Sequence, residues 1–228
     1  MPVHDARPGG IVFDLDGTLI DSAPDIHAAV NRMLAGIGAA PLDMPTVVSF
    51  IGHGLPHLVG LVRAHHGIDA GEQPRMLAAM MTQYAAHPVA LTRPYPGVVA
   101  ALTRLQAAGH PLGLCTNKPV AATHAILDAL DLSRFFAAVI GGDSLPVRKP
   151  DPAPLHAAFA ALPAARLVYV GDSEVDAQTS HAAQVPFALF TRGYRKSPVA
   201  DLAHVVAFDD FADLPAHVAD LQHALTQC

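Results

Sequence analysis

The chain has 228 residues, 51% hydrophobic and 15% charged, with a formal net charge of −6. That length fits one large domain or a domain carrying an insertion, and so apolar a composition excludes intrinsic disorder. An acidic balance with 14 Lys and Arg argues against nucleic acid as a partner.

In chain order, the first residues carry no long apolar stretch of the secretory type. Gly9-Gly10 leads into Ile11-Val12-Phe13, a buried strand by its apolar run, which ends in the acidic turn Asp14-Leu15-Asp16-Gly17. Residues 20–93 hold Leu, Met and His at helical spacing and few β-branched runs, so they read as an all-helical insertion. Ser22 followed by Asp25 predicts a capping box opening a helix at Pro24. From Pro96-Gly97 a rhythm sets in. Val98, Leu102 and Leu105 share a helical face closed by Gly109. Residues 111–115 read as a strand, 120–130 as a helix, 137–140 as a strand and 154–162 as a helix. A strand at 167–170 ends at Gly171-Asp172. A helix over 176–183, strands at 187–190 and 204–208, and a helix over 214–225 complete the chain. Strands alternating with helices of about ten residues mean βαβ units, hence a parallel sheet with helices on both faces. In such sheets ligands bind at the carboxyl ends of the strands. No uncharged apolar run reaches the roughly 18 residues of a membrane span, so no membrane partner is expected. Cys115 and Cys228 are too few for a disulfide framework and fit a reducing, cytoplasmic compartment.

The expected strand ends carry polar residues where a core strand would simply turn. Asp14 and Asp16 lie two apart and point to one side of a strand; two such charges repel unless a cation or shared proton intervenes. An acidic turn is the plain alternative, and a calcium loop fails because Gly17 stands at the fourth position rather than the sixth. Thr116 and Asn117 follow the second strand, where an anion or an ordinary helix cap accounts for them. Cys115 has no Arg six residues on, so it reads as a small core residue. Lys149 sits between prolines at 150 and 152 and Arg148. Asp172 and Asp176 stand one helical turn apart and share a face. Together these place four carboxylates, a Lys and a Thr/Asn pair on one sheet edge, a set that suits Mg²⁺ and a phosphate. No Walker A loop and no G-x-G-x-x-G is present, so a nucleotide cradle is not supported.

Asp14–Ser22 (DLDGTLIDS), Leu114–Lys118 (LCTNK), Lys149–Pro152 (KPDP) and Gly171–Asp176 (GDSEVD), in that order, resemble the four motifs of the haloacid dehalogenase-like hydrolases. The insertion resembles the small helical cap of that superfamily's phosphoglycolate phosphatase branch, as do FIGHGLPHLV at 50–59, TNKP at 116–119 and RGY at 192–194. The resemblance implies a Rossmann-like α/β core of residues 1–19 and 94–228 with a cap over 20–93. It implies an Mg²⁺-dependent phosphomonoesterase acting on a small phosphorylated metabolite, 2-phosphoglycolate first. Asp14 is then the nucleophile that forms an aspartyl-phosphate, and Asp16 the general acid and base. Asp14, the Asp16 backbone carbonyl and Asp172 hold the metal, with Ser173 and Asp176 behind them. Lys149, Thr116, Asn117, Lys118 and Thr18 meet the phosphate or substrate. In the cap, Gly52, His53 and Gly54 are the expected contacts, with a tight helix–helix turn as the alternative.

Other readings stand beside this one. Another small phosphate, such as a sugar phosphate or pyrophosphate, is a close competitor, and a phosphomutase is not excluded. A receiver domain also gathers Asp, Thr and Lys at parallel strand ends, but it lacks an acid two residues after the nucleophile and lacks the insertion. The insertion contains no Lys, since the chain's three are 118, 149 and 196; this disfavours the superfamily's phosphonatase chemistry. His53 and His57 lie four apart but lack the Glu of a zinc helix, and Arg63 reads as a surface residue. The chain is expected as a monomer or homodimer.

Overall fold

Short apolar runs bounded by Gly, Pro and polar turns fold as strands buried on both faces, and the computed structural model of the chain shows this for residues 8–87, 89–164 and 167–224. Strand β1 (Gly10–Phe13) is followed by the two-residue β2 (Ile20–Asp21) and four helices: α1 (Ala23–Ala35), α2 (Met44–Ser49), α3 (Leu55–His65) and α4 (Gln73–Ala86). Strand β3 (Arg93–Pro94) returns to the βαβ rhythm: α5 (Val98–Ala107), β4 (Leu112–Cys115), α6 (Val120–Ala129), β5 (Phe136–Ile140), α7 (Ala153–Ala160), β6 (Leu167–Gly171), α8 (Glu174–Ala183), β7 (Phe187–Phe190), β8 (Val206–Phe208) and α9 (Leu214–Ala224). The expected end of the last helix at Leu225, and Cys228, lie outside the described residues.

Six strands form one sheet in the order β5-β4-β1-β6-β7-β8, with every neighbouring pair parallel. Counting only these strands in chain order, the arrangement is 3-2-1-4-5-6, the doubly wound order, whose reversal beside β1 opens a crevice at the strand ends. Alternation along each strand divides the core in two. Ile11, Phe13, Leu112, Leu114, Val168 and Val170 face a cluster with Leu102 of α5, Ile126 of α6 and Val218 of α9. Val12, Cys115 and Tyr169 face the other cluster with Leu155 of α7 and Ala177 of α8. Helices therefore cover both faces, as the rhythm predicts.

Two details of the insertion differ from expectation. Its ends are not helical: Ile20 pairs with Pro94 and Asp21 with Arg93 as a short antiparallel ladder, through which the chain enters and leaves the helical segment. The capping box at α1 does not form, for Ser22 makes no side-chain cap bond. Its Oγ donates instead to Asp16 Oδ1 (2.5 Å), while the Asp25 carboxylate accepts from Leu91 N, Thr92 N and Thr92 Oγ1. Tertiary partners displace the local cap because both groups are buried and each must satisfy its hydrogen bonds there.

Candidate active site

The reversal point brings β1 between β4 and β6, so the residues after these three strands converge. Asp14 follows β1, Thr116 follows β4 and Asp172 follows β6. Lys149 arrives from the β5–α7 connection, and Asp176 from the first turn of α8. The carboxylates of Asp14, Asp172 and Asp176 place one oxygen each within 4.8 Å of one another, and all three are buried.

Lys149 locks this group. Its Nζ lies 2.8 Å from Asp14 Oδ1 and 2.7 Å from Asp176 Oδ1, and it donates to Tyr169 Oη at 2.9 Å. Tyr169 in turn donates to Asp176 Oδ1 (2.7 Å). The other Asp176 oxygen accepts from Asp172 N, Ser173 N and Ser173 Oγ, and Ser173 and Asp176 close a capping box at the start of α8. Asp176 is therefore saturated and supports the site from behind. Asp172 is oriented by Thr18 Oγ1 (2.7 Å) on Oδ1 and Tyr194 N (2.6 Å) on Oδ2.

These environments push the carboxyls apart. Burial raises Asp14 to about 7 against the pull of Lys149, with Asp176 adding repulsion. Burial, then Asp176 and Asp14, raise Asp172 well above the usual carboxylate range. Burial also works against charge on Asp176, but Lys149, Ser173 and Tyr169 together hold it below its ordinary value. Two acids held up beside a third that stays ionised describe a cluster short of positive charge. A hard divalent cation taking carboxylate oxygens fits that donor set. Cys115 is buried beneath it, its thiol pushed up to about 12 by that burial, and is an inert core residue.

Asp16 belongs to a second constellation. Lys118 Nζ donates to both of its oxygens at 2.9 Å, and the same ammonium lies 4.7 Å from the ring centroid of Tyr84 on α4. Burial works to lower the Lys118 pKa, but Asp16 and Tyr84 hold it above the usual range. Both constellations open on one cavity of about 330 Å³. The insertion forms its roof with Ile26, Ile51, Leu55, Leu58, Met81 and Tyr84; Asp14, Asp16, Thr116, Asn117 and Lys118 line its polar end.

Several expected contacts are placed differently. Thr18 is fully buried and its hydroxyl serves Asp172, so it orients a carboxylate and does not line the cavity. The two Asn117 amide hydrogens go to Gly52 O and Lys149 O, each at 3.0 Å; the side chain ties roof to floor. The Thr116 hydroxyl accepts from Lys118 N at 3.2 Å. Gly52 and Gly54 line the cavity and His53 is not among its lining residues; the His53 ring packs against His57, centroids 4.9 Å apart. Gly54, at φ 85°, is required where it stands, since a Cβ there would meet Asn117 O at 2.9 Å. Gly17, at φ 88°, plays the same part under Asp172.

Four residues have a place in the site that the sequence does not assign them: Tyr169, Tyr194, Ser22 and Tyr84. Tyr169 carried a signal, a phenol inside a buried strand that must find a partner. The Tyr194 hydroxyl accepts from Ser22 N (2.8 Å) and Ala23 N (2.9 Å) and donates to Asp21 Oδ1 (2.8 Å), a role with no local sequence mark beyond its RGY setting.

Residues 11–190 match the family model described as haloacid dehalogenase-like hydrolase. The chain is 53% identical over 208 residues to a phosphoglycolate phosphatase of Cereibacter sphaeroides, covering 90% of this chain and 95% of that one. It is 39% identical to a phosphoglycolate phosphatase of Caulobacter vibrioides, covering 99% and 96%. The crystal structure of a predicted phosphoglycolate phosphatase from Haemophilus somnus superposes with a TM-score of 0.87 at 30% identity, covering 93% of this chain and 99% of that one. Motif order, sheet order and these similarities agree, and the chain belongs to the haloacid dehalogenase-like hydrolase family.

Proposed function

We propose that this protein is an Mg²⁺-dependent phosphatase that hydrolyses 2-phosphoglycolate to glycolate and inorganic phosphate, with Asp14 as nucleophile. The observation that carries this reading is the placement of Asp14 at the polar end of a roofed cavity, 2.8 Å from Lys149 and clustered with Asp172, in a chain this similar to phosphoglycolate phosphatases. In this reading residues 1–19 and 94–228 are the hydrolase core, residues 20–93 are the cap, and the enzyme works in the cytoplasm.

Asp14, the Asp16 backbone carbonyl and Asp172 would hold Mg²⁺, whose charge would lower the repulsion between nucleophile and phosphoryl group. The Asp14 carboxylate attacks phosphorus as the ester phosphorus–oxygen bond breaks. The Asp16 carboxyl gives its proton to the departing alkoxide, which leaves as glycolate. Asp16, now a carboxylate, takes a proton from water as the water oxygen attacks phosphorus. The bond to Asp14 then breaks, returning its carboxylate and releasing inorganic phosphate. Lys149 keeps Asp14 aimed and neutralises phosphoryl oxygens, the positioning and charge stabilisation that phosphoryl transfer chiefly needs. The roof excludes bulk water during the transfer. Its apolar lining favours a small compact substrate over a hydroxyl-rich sugar phosphate.

Phosphate release with Mg²⁺ from 2-phosphoglycolate, pyrophosphate, glucose phosphates, a nucleotide and an aryl phosphate, with an EDTA control, tests the reading. The expected result is metal-dependent turnover with the highest kcat/KM for 2-phosphoglycolate. A flat profile would remove the substrate assignment, and phosphate retained on Asp14 without release would favour a receiver.

A further inference from the structure

The Tyr84 hydroxyl has no part in the chemistry above, yet it is buried in the cavity wall, where the Lys118 ammonium faces its oxygen and its own proton has no acceptor. Tyr84 as a whole is only 6% exposed. A buried hydroxyl proton with no acceptor is disfavoured unless something supplies one. Beside it stands Lys118, itself 8% exposed. An ammonium has three N–H donors. Two of them meet the Asp16 oxygens, and the third is not tied to any carboxylate. Lys149 is committed to Asp14 and Asp176, so among the described lining residues Lys118 is the cation left for a second negative charge on a substrate. The rest of the roof is apolar and offers such a charge nothing.

We infer that Tyr84 is a specificity residue: its hydroxyl, donating beside the Lys118 ammonium, binds the carboxylate that 2-phosphoglycolate carries in addition to its phosphate. This rests on the proposed substrate and deepens it. Tyr84 belongs to α4 in the insertion and Lys118 to the core, so the carboxylate is gripped from both sides, and only while the roof is in place. A phosphoester of the same length with no carboxylate gains nothing from the pair and leaves the hydroxyl proton without an acceptor.

The test compares 2-phosphoglycolate with ethyl phosphate, which keeps the two-carbon body and lacks the carboxylate, in the wild type and in Tyr84→Phe. A hydrogen bond to a charged group corresponds to about a tenfold effect or more. Tyr84→Phe is therefore expected to lower kcat/KM for 2-phosphoglycolate about tenfold, mainly through KM, and to leave ethyl phosphate turnover unchanged. Its melting temperature should change little, because the deleted hydroxyl's proton has no acceptor in the free protein and Lys118 keeps its two bonds to Asp16. A variant that keeps the wild-type preference overturns the role of Tyr84 and leaves the substrate reading intact. Equal losses on both esters overturn it as well, pointing to general packing. A wild type with no preference between the two esters overturns the substrate reading and this inference together.

Discussion

Lys149 and Lys118 serve the same cavity under opposite constraints. Lys149 is 2% exposed and touches only core groups: Asp14, Asp176 and Tyr169. Lys118 stands between a core carboxylate, Asp16, and an aromatic ring from the insertion, Tyr84. The first half of the site is thus complete within the sheet edge, whatever the insertion does. The second half exists only where insertion and core meet. In the proposed mechanism the difference separates the chemistry, held by a dense hydrogen-bonded network, from the recognition, assembled across a junction.

The comparison breaks most severely at the nucleophile. Asp14→Asn is expected to abolish turnover, with a loss of at least ~10³-fold, while circular dichroism shows a retained fold; measurable steady-state release at wild-type levels would remove Asp14 from the mechanism. Lys149→Met comes next. It leaves Asp14 and Asp176 facing each other without their cation, and removing one partner of a buried pair costs about 3–5 kcal/mol. Urea denaturation should register that loss together with a collapse of kcat. Lys118→Met is expected to cost less stability, roughly 1–3 kcal/mol, and to act on KM for 2-phosphoglycolate more than on kcat. If the two Lys variants behaved alike, the division between a rigid and an assembled half would fail.

A smaller effect sharpens the first half by pH. Asp14 is raised from 3.8 to about 7, so between those values the folded protein binds a proton that the unfolded chain does not. The stability this group contributes is full below about 3.8 and is lost as pH rises toward 7. Mg²⁺ bound as proposed would compete with that proton. The rise in melting temperature on adding Mg²⁺ to EDTA-treated protein should therefore be larger at pH 8 than at pH 5, a few degrees by thermal scanning. A rise independent of pH would show that the ion does not displace a proton here.

The rigid half was the more legible in the sequence. Short apolar runs broken by Gly and Asp locate strands well, and right-handed crossovers put the loops after those strands along one edge. The residues just after those strands then share one edge, which is why Asp14, Thr116 and Asp172 stand out as a set, while their individual roles come from the family resemblance. The assembled half was not legible. Lys118 reads as a substrate cation, and nothing within several residues reveals that Asp16 claims it. Tyr84 carries no sequence signal that sets it apart from the rest of the helical insertion. Ser22 and Asp25 have the spacing of a capping box, and tertiary partners took both. Local pattern fails where a side chain's partner lies far along the chain, as with Asp25 and Thr92, 67 residues apart, or Tyr194 and Ser22, 172 apart.

The short β2–β3 ladder has a consequence for the chain's modularity. Because Asp21 pairs directly with Arg93, the polypeptide leaves the core and returns to it at adjacent points. Everything between is a cassette carried on two strands of backbone. A sheet edge that already holds the proposed nucleophile, its lysine and metal-fitting carboxylates does not need rebuilding when that cassette is exchanged for another. Grafting between relatives at this ladder would transfer selectivity as a unit, with the chemistry left behind in the recipient.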